Sequence, residues 1–310
     1  MNTQASATPD SPLDTRVLAP APRSETRPLY WSVRREFWEH RSLYIAPLAA
    51  AGVYLLGFLV STIRLPERMR GALLLDAMKQ HEFIERPYDF AALLIMGSTL
   101  IVAIFYCLDA LHGERGDRSI LFWKSLPVSD LTTVLSKALI PIVILPLLTF
   151  AITVATQWIM LLLSATVLLG NSQSVAALWT HLHLWHMSLM LLYHLLALHG
   201  LWYAPIFCWL LLVSCWARRA PFLWAVLPVL VIGFVERIVF NTSHVVSQLV
   251  FRMGGGSEGA ASPQSSMSMD ALSRPTPAQF LSRPGLWIGL VFAGIFLAAA
   301  VRLRRNREPI

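Results

Sequence analysis

The sequence predicts an all-α, polytopic membrane protein with six transmembrane helices and both termini on the cytoplasmic side. Three observations carry this. First, 55% of its 310 residues are hydrophobic and only 14% are charged, with a mean hydropathy of +0.57, whereas soluble domains carry about 25% charged residues. Second, the apolar residues fall into runs near the ~20 residues that cross ~30 Å of hydrocarbon. Third, the Lys and Arg residues flank those runs, as orientation signals and headgroup contacts do. The net charge of +7 is therefore no sign of a nucleic-acid partner, and no stretch has the mixed surface and core of a separate soluble domain. Cys107, Cys208 and Cys215 all lie in apolar runs, so they imply no disulfide framework.

In chain order, residues 1–28 are polar and rich in Ala, Pro, Ser and Thr, a tail with too little apolar surface to offset its ordering entropy. From Leu29 to Ser42, Trp31, Val33, Phe37 and Trp38 alternate with Arg34, Arg35, Glu36, Glu39 and Arg41. That suits a helix lying in the interface, aromatics at headgroup depth and cations toward phosphate; simple flanking residues of the first span are the alternative. The single membrane domain, 29–310, then has spans at about 45–63, 90–111, 131–169, 197–216, 221–240 and 285–301. Pro141 and Pro146 predict a kink or break in the third, because proline frees backbone carbonyls. His181 to Trp216 is too long for one straight crossing and short for two. Ala197 to Trp216 serves as the fourth span, the His-rich part being an outer extension or an interfacial helix. An outer loop, 241–284, contains Gly254 to Gly256 and a Ser/Pro/Met-rich stretch.

Orientation follows from the cations. With the N terminus inside, sixteen Lys and Arg fall in inner segments and eight in outer ones, so N-in and C-in is the expected arrangement in a plasma or inner membrane.

Between the second and third spans lies a polar bridge, Glu114 to Lys137, reading ERGDRSILFWKSLPVSDLTTVLSK. Ile120, Leu121, Trp123 and Leu126 have roughly helical apolar spacing. Asp117 is a candidate N-cap, Pro127 ends the turn, and Ser129 or Asp130 caps the next helix. Glu114-Arg115-Gly116, then Ser125-Leu126-Pro127-Val128-Ser129, then Lys137 resemble the corresponding loop of ABC-2 type transporter permeases. The likeness is specific over about two dozen residues and general, through span number and orientation, from residue 30 onward. Asp117, Phe122 and Trp123 depart from the family pattern, which usually has Thr after the Gly and small or aliphatic residues before Ser-Leu-Pro.

The resemblance implies a permease subunit whose bridge carries a coupling helix that docks on a separate cytoplasmic ATPase. It also implies a dimer of permeases, export as the direction, and ATP and magnesium held by the ATPase. Carried onto this chain, the docking element is Glu114, Arg115, Asp117, Arg118, Ile120, Leu121, Phe122, Trp123 and Lys124. Phe122 and Trp123 are candidate anchors, since aromatics dominate interface energetics, and Glu114 is a candidate ion pair fixing the helix angle. The chain has no G-x-x-x-x-G-K-[ST] segment, so nucleotide phosphates have no cradle of that kind here. No catalytic residue and no bound cofactor or metal is expected. Candidate pathway or gating residues are the charged or polar groups within spans, Asp109, Gln157, Glu236 and Arg237, with Thr153 and Thr156 beside Gln157. The apolar cavity walls favour a lipid-like, peptide or hydrophobic drug cargo.

Two other classes compete. His181, His183, His186, His194 and His199 could ligate metal or haem. At helical spacing, however, His183 and His194 stand ~16 Å apart, and no carboxylate lies in that stretch. The third class is a membrane scaffold or immunity-type protein that transports nothing.

Overall fold

The computed structural model describes residues 28–72, 76–116, 129–171, 184–242, 244–253 and 280–306. Among these every regular element is a helix. The helices are α1 (Pro28–Glu39), α2 (Ser42–Thr62), α3 (Leu65–Ala72), α4 (Ala77–Asp109), α5 (His112–Gly116), α6 (Asp130–Leu139), α7 (Leu145–Gly170), α8 (Leu184–His194), α9 (Ala204–Trp216), α10 (Pro221–Val239), α11 (His244–Met253) and α12 (Pro284–Asn306). Wide π-helical turns join α6 to α7 at Ile140–Ile144 and α8 to α9 at Leu195–Trp202.

Six helical stretches are long and apolar enough to cross a membrane: Ser42–Thr62, Phe83–Gly116, Asp130–Gly170, Leu184–Trp202, Pro221–Val239 and Pro284–Asn306. The number agrees with the sequence; the bounds differ in informative places. The second helix starts at Ala77, thirteen residues before Phe90, and Pro87 does not stop it. On the neighbouring α2, the Tyr54 hydroxyl donates to the Pro87 carbonyl at 2.7 Å, so the helix is braced where it leaves its apolar core. The fourth stretch of crossing length begins at Leu184, not Ala197. From there helix continues through the π segment and a turn at Tyr203 to Trp216. The His-rich part of this rod is the same helix as the apolar part. In the expected outer loop, α11 is a helix the sequence reading missed, and residues 254–279 lie outside the described residues.

Between lipid-facing helices there is little hydrophobic driving force, so close approach decides which pairs bind. Gly289, Ala293 and Ala300 give α12 a face of small residues, all buried. The Cys208 side chain of α9 packs on Ala293 there, and the Cys215 thiol donates to the Ala300 carbonyl at 3.6 Å. All three cysteines are free and buried. By contrast, α10 buries only Ala225 and Gly233 and leaves Phe222, Leu230, Phe234 and Ile238 exposed.

The π turn at Ile140–Ile144 has a local cause. Proline has no N–H, so Pro141 and Pro146 cannot complete the α-helical bonds to the carbonyls of Lys137 and Ile142. A π adjustment is one way to re-satisfy such groups. The two π segments meet where Gly200 faces the Ile142 carbonyl. A Cβ at position 200 would lie 2.7 Å from that oxygen. Glycine is what lets the backbones approach.

Candidate functional site

The most unusual chemistry in the molecule lies at one end of the bundle, where α1, α4, α5, α6, α9 and α12 converge. On α1, Val33, Glu36, Phe37 and His40 share a face at helical spacing. Val33 and Phe37 pack on the core, which carries Glu36 inward until it is 1% exposed. There its carboxylate accepts from Lys137 Nζ at 2.8 Å and from Arg35 Nη2 at 2.9 Å. The Tyr106 hydroxyl of α4 donates to its other oxygen at 3.0 Å, and His40 Nε2 lies 3.7 Å from that oxygen. Burial by itself would raise the Glu36 pKa, but the Lys137 ammonium and then Arg35 outweigh it and hold the group below the usual carboxylate range.

Glu114 is the second centre. One oxygen faces Arg35 Nη2 at 2.9 Å and Lys137 Nζ at 3.1 Å; the other takes Arg304 Nη1 at 2.6 Å. Arg304 reaches on with Nε to Asp130 at 3.1 Å. Three cations (Arg35, Lys137, Arg304) thus meet three carboxylates (Glu36, Glu114, Asp130), with the half-exposed Glu39 a fourth acid 3.4 Å from Arg35. Buried ions are tolerated when each is paired and hydrogen-bonded. The result links the first helix, the end of the second long span, the start of the third and the last helix through side chains alone.

Around this cluster the helix ends are closed by groups from other helices. The Ser214 hydroxyl of α9 accepts from the backbone N–H of Leu111 at 3.0 Å and of His112 at 2.9 Å, satisfying donors at the start of α5. Arg115 donates to the carbonyls of Cys215 at 2.7 Å and Ala217 at 3.4 Å, a cation placed at the C-terminal end of α9. Across the 117–128 segment, Ser129 caps α6 and accepts from Thr132 N–H at 3.1 Å. That resolves the choice between Ser129 and Asp130, and frees Asp130 for Arg304. Each carboxylate of the cluster is paired with a cation, and the arrangement holds helices.

Of the residues named from the sequence, Glu114 and Arg115 turn into the interior, onto partners within this chain. Asp117, Arg118, Ile120, Leu121, Phe122, Trp123 and Lys124 lie outside the described residues. Asp109 is exposed on the last turn of α4, its carboxylate close to Gly113. Gln157 is buried, with Nε2 3.5 Å from the Tyr88 carbonyl and Oε1 without a partner. Thr153 Oγ1, beside it on α7, has none either, whereas Thr156 donates to the Ile152 carbonyl at 2.7 Å. Glu236 accepts from His244 N–H at 2.6 Å and Thr242 at 3.0 Å, which makes it a cap for α11. Arg237 is exposed. The four candidate pathway residues are not brought together.

Six cluster members were not singled out as site residues from the sequence: Arg35, Glu36, Tyr106, Asp130, Lys137 and Arg304. Glu36 had a readable signal, an acid at i+3 from Val33 and next to Phe37 on an apolar helix face. Arg304 had none, since four arginines follow the last span and only folding chooses between them.

Of the histidines, His181 and His183 lie outside the described residues, and His194 pairs with His199, ring centroids 5.9 Å apart. In an α-helix these positions diverge; i→i+5 hydrogen bonding brings them together. Nδ1 of each ring has no hydrogen-bond partner among the described residues. His199 also lines a small cavity with Thr99, Pro141, Thr149 and Phe207. Among the described residues, no three His, Cys, Asp or Glu side chains are grouped to hold a metal ion.

Comparison with family models, with curated proteins and with solved structures gave no match to this chain.

Proposed function

We propose that this chain is the membrane-spanning subunit of an ATP-driven transporter of the ABC-2 type, with ATP and magnesium held by a separate ATPase. The resemblance of Glu114 to Lys137 to the family's loop remains the reason to name that class. The observation that carries it further is the position of Glu114. It stands at the head of the Glu-Arg-Gly element and is bonded to helices at both ends of the chain. The 117–128 segment is flanked in sequence by Glu114 and Arg115 on one side and Asp130 on the other, and Glu114 and Asp130 both hold Arg304. A push on that segment by a soluble partner would reach α1, α4, α6 and α12 through short ionic contacts rather than through a compliant loop. Such a base suits a coupling element, because coupling needs packed parts with discrete arrangements.

On this reading Phe122 and Trp123 anchor in the partner, and Arg118 and Lys124 meet its acidic residues. Glu114 and Arg115 transmit rather than touch. The segment faces the cytoplasm, with N-in and C-in orientation. Dimerisation and outward transport rest on the family resemblance. The paired π turns and the Gly200 contact are a natural place for the bundle to change its packing.

Purification from native membranes in mild detergent tests this. An ATPase should accompany the wild-type chain and be lost from Trp123→Ala and from a variant lacking residues 119–125. Retention of the ATPase by both variants, or the absence of any ATPase from the wild type, would overturn it.

A further inference from the structure

The outward face of α1 carries an arrangement that the transport reading does not use. Trp31, Arg34 and Trp38 follow one another at spacings of three and four residues, so they form a stripe opposite Glu36, and Arg41 follows just past the end of the helix. The Arg34 guanidinium lies 5.3 Å from the Trp31 ring and 5.7 Å from the Trp38 ring. Both indoles are largely exposed, at 57% and 74%. Arg34 and Arg41 are exposed too, and Arg34 has no ion pair or hydrogen bond among the described residues.

The acids of α1 are occupied elsewhere. Glu36 is spent on Lys137 and Arg35, and Glu39 lies 3.4 Å from Arg35. The outward stripe is therefore purely cationic and aromatic. It also sits at a defined depth, because α1 ends at Glu39 and the first crossing begins at Ser42. Stacking on indoles uses the faces of a guanidinium and leaves its N–H edges for a bidentate acceptor. Indoles favour the level of lipid headgroups.

We propose that Trp31, Arg34 and Trp38 form a binding site for the phosphate of an anionic phospholipid. The rings pre-orient the guanidinium and seat against the upper acyl chain, and the guanidinium fork takes two phosphate oxygens. Arg41 adds charge just past the end of the helix. Because α1 is pinned through Glu36 to Lys137, a bound lipid bears directly on the buried cluster. The site stands whether or not the chain serves an ATPase.

Native mass spectrometry of the full chain, released from nanodiscs of mixed phosphatidylglycerol and phosphatidylcholine, reads the site. The wild type should retain phosphatidylglycerol in preference to phosphatidylcholine. Arg34→Ala should lower that retention about five-fold, the usual worth of one cation at a charged surface. Arg34→Lys keeps the charge without the planar fork and should fall between them, which also guards against misfolding of the alanine variant. Arg302→Ala, another exposed cation at the same end of the bundle, should change little. Equal losses for Arg34→Ala and Arg302→Ala would overturn the site in favour of general surface charge. Equal retention of both lipids would do so as well, as would loss of a bound protein with lipid unchanged.

Discussion

Two buried polar regions of this molecule are built on opposite terms. At the charged end, Glu36, Glu114, Lys137 and Arg304 each hold partners of opposite charge at 2.6 to 3.1 Å. Deeper in the bundle, Thr153 Oγ1, Gln157 Oε1, and Nδ1 of His194 and His199 are buried without hydrogen-bond partners among the described residues. The first two sit on α7, His194 ends α8 and His199 lies in the π segment between α8 and α9. A saturated polar cluster has one geometry it can satisfy, so it fixes the helices that supply it. An unsaturated one loses little when the helices shift. The contrast separates the part of the bundle that holds from the part that can move.

The largest test breaks the saturated region. Glu114→Gln leaves Arg35, Lys137 and Arg304 facing a neutral amide, and removing one member of a buried ionic group costs about 3–5 kcal/mol. Thermal unfolding in detergent should show that loss. A Glu114→Gln protein as stable as wild type would mean that the cluster does not hold the bundle.

Gly200→Ala probes the junction between the π segments. Its methyl group would meet the Ile142 carbonyl at 2.7 Å, and backbone cannot yield as a side chain tip does. A cost of about 1–3 kcal/mol is expected, as for overpacking elsewhere. On the reading of this junction as the mobile part, transport should fall more than stability does.

The smallest effect sharpens the comparison most directly. Thr149 donates to Thr99 at 2.9 Å or to the Leu145 carbonyl at 2.8 Å, while Thr153, one turn on, has no partner. Thr149→Val should cost about 1 kcal/mol, and Thr153→Val should be neutral or slightly stabilising. Equal costs in parallel melts would show that the Thr153 hydroxyl is engaged after all.

Much of the site's setting was readable before any coordinates. Lys137 was legible as a cation just inside an apolar run, and Glu114 as an acid at a membrane edge. Their mutual contact was not, because it joins residues 23 apart across the 117–128 segment. The Glu36 contacts span about a hundred residues, and those of Arg304 nearly two hundred. The pairing of His194 with His199 was hidden for a more local reason: the helix widens into a π segment just after His194, and a period of 3.6 residues does not bring those two positions together. That Glu236 caps α11 was not legible, because the sequence reading placed no helix in that loop.

What the sequence by itself determined is the solvent of each segment: which stretches are long and apolar enough to cross, and where cations gather at their ends. Transfer of side chains between water and hydrocarbon depends on composition within one helix length, so it can be read locally. The tertiary structure alone decided which of several chemically equivalent charges turn inward. It chose Arg35 over Arg34, Arg304 over Arg302 and Arg305, and Ser129 over Asp130 as cap. Such choices depend on what other helices present at the same depth, and electrostatic pairing in a low-dielectric interior is settled only when the partners arrive together.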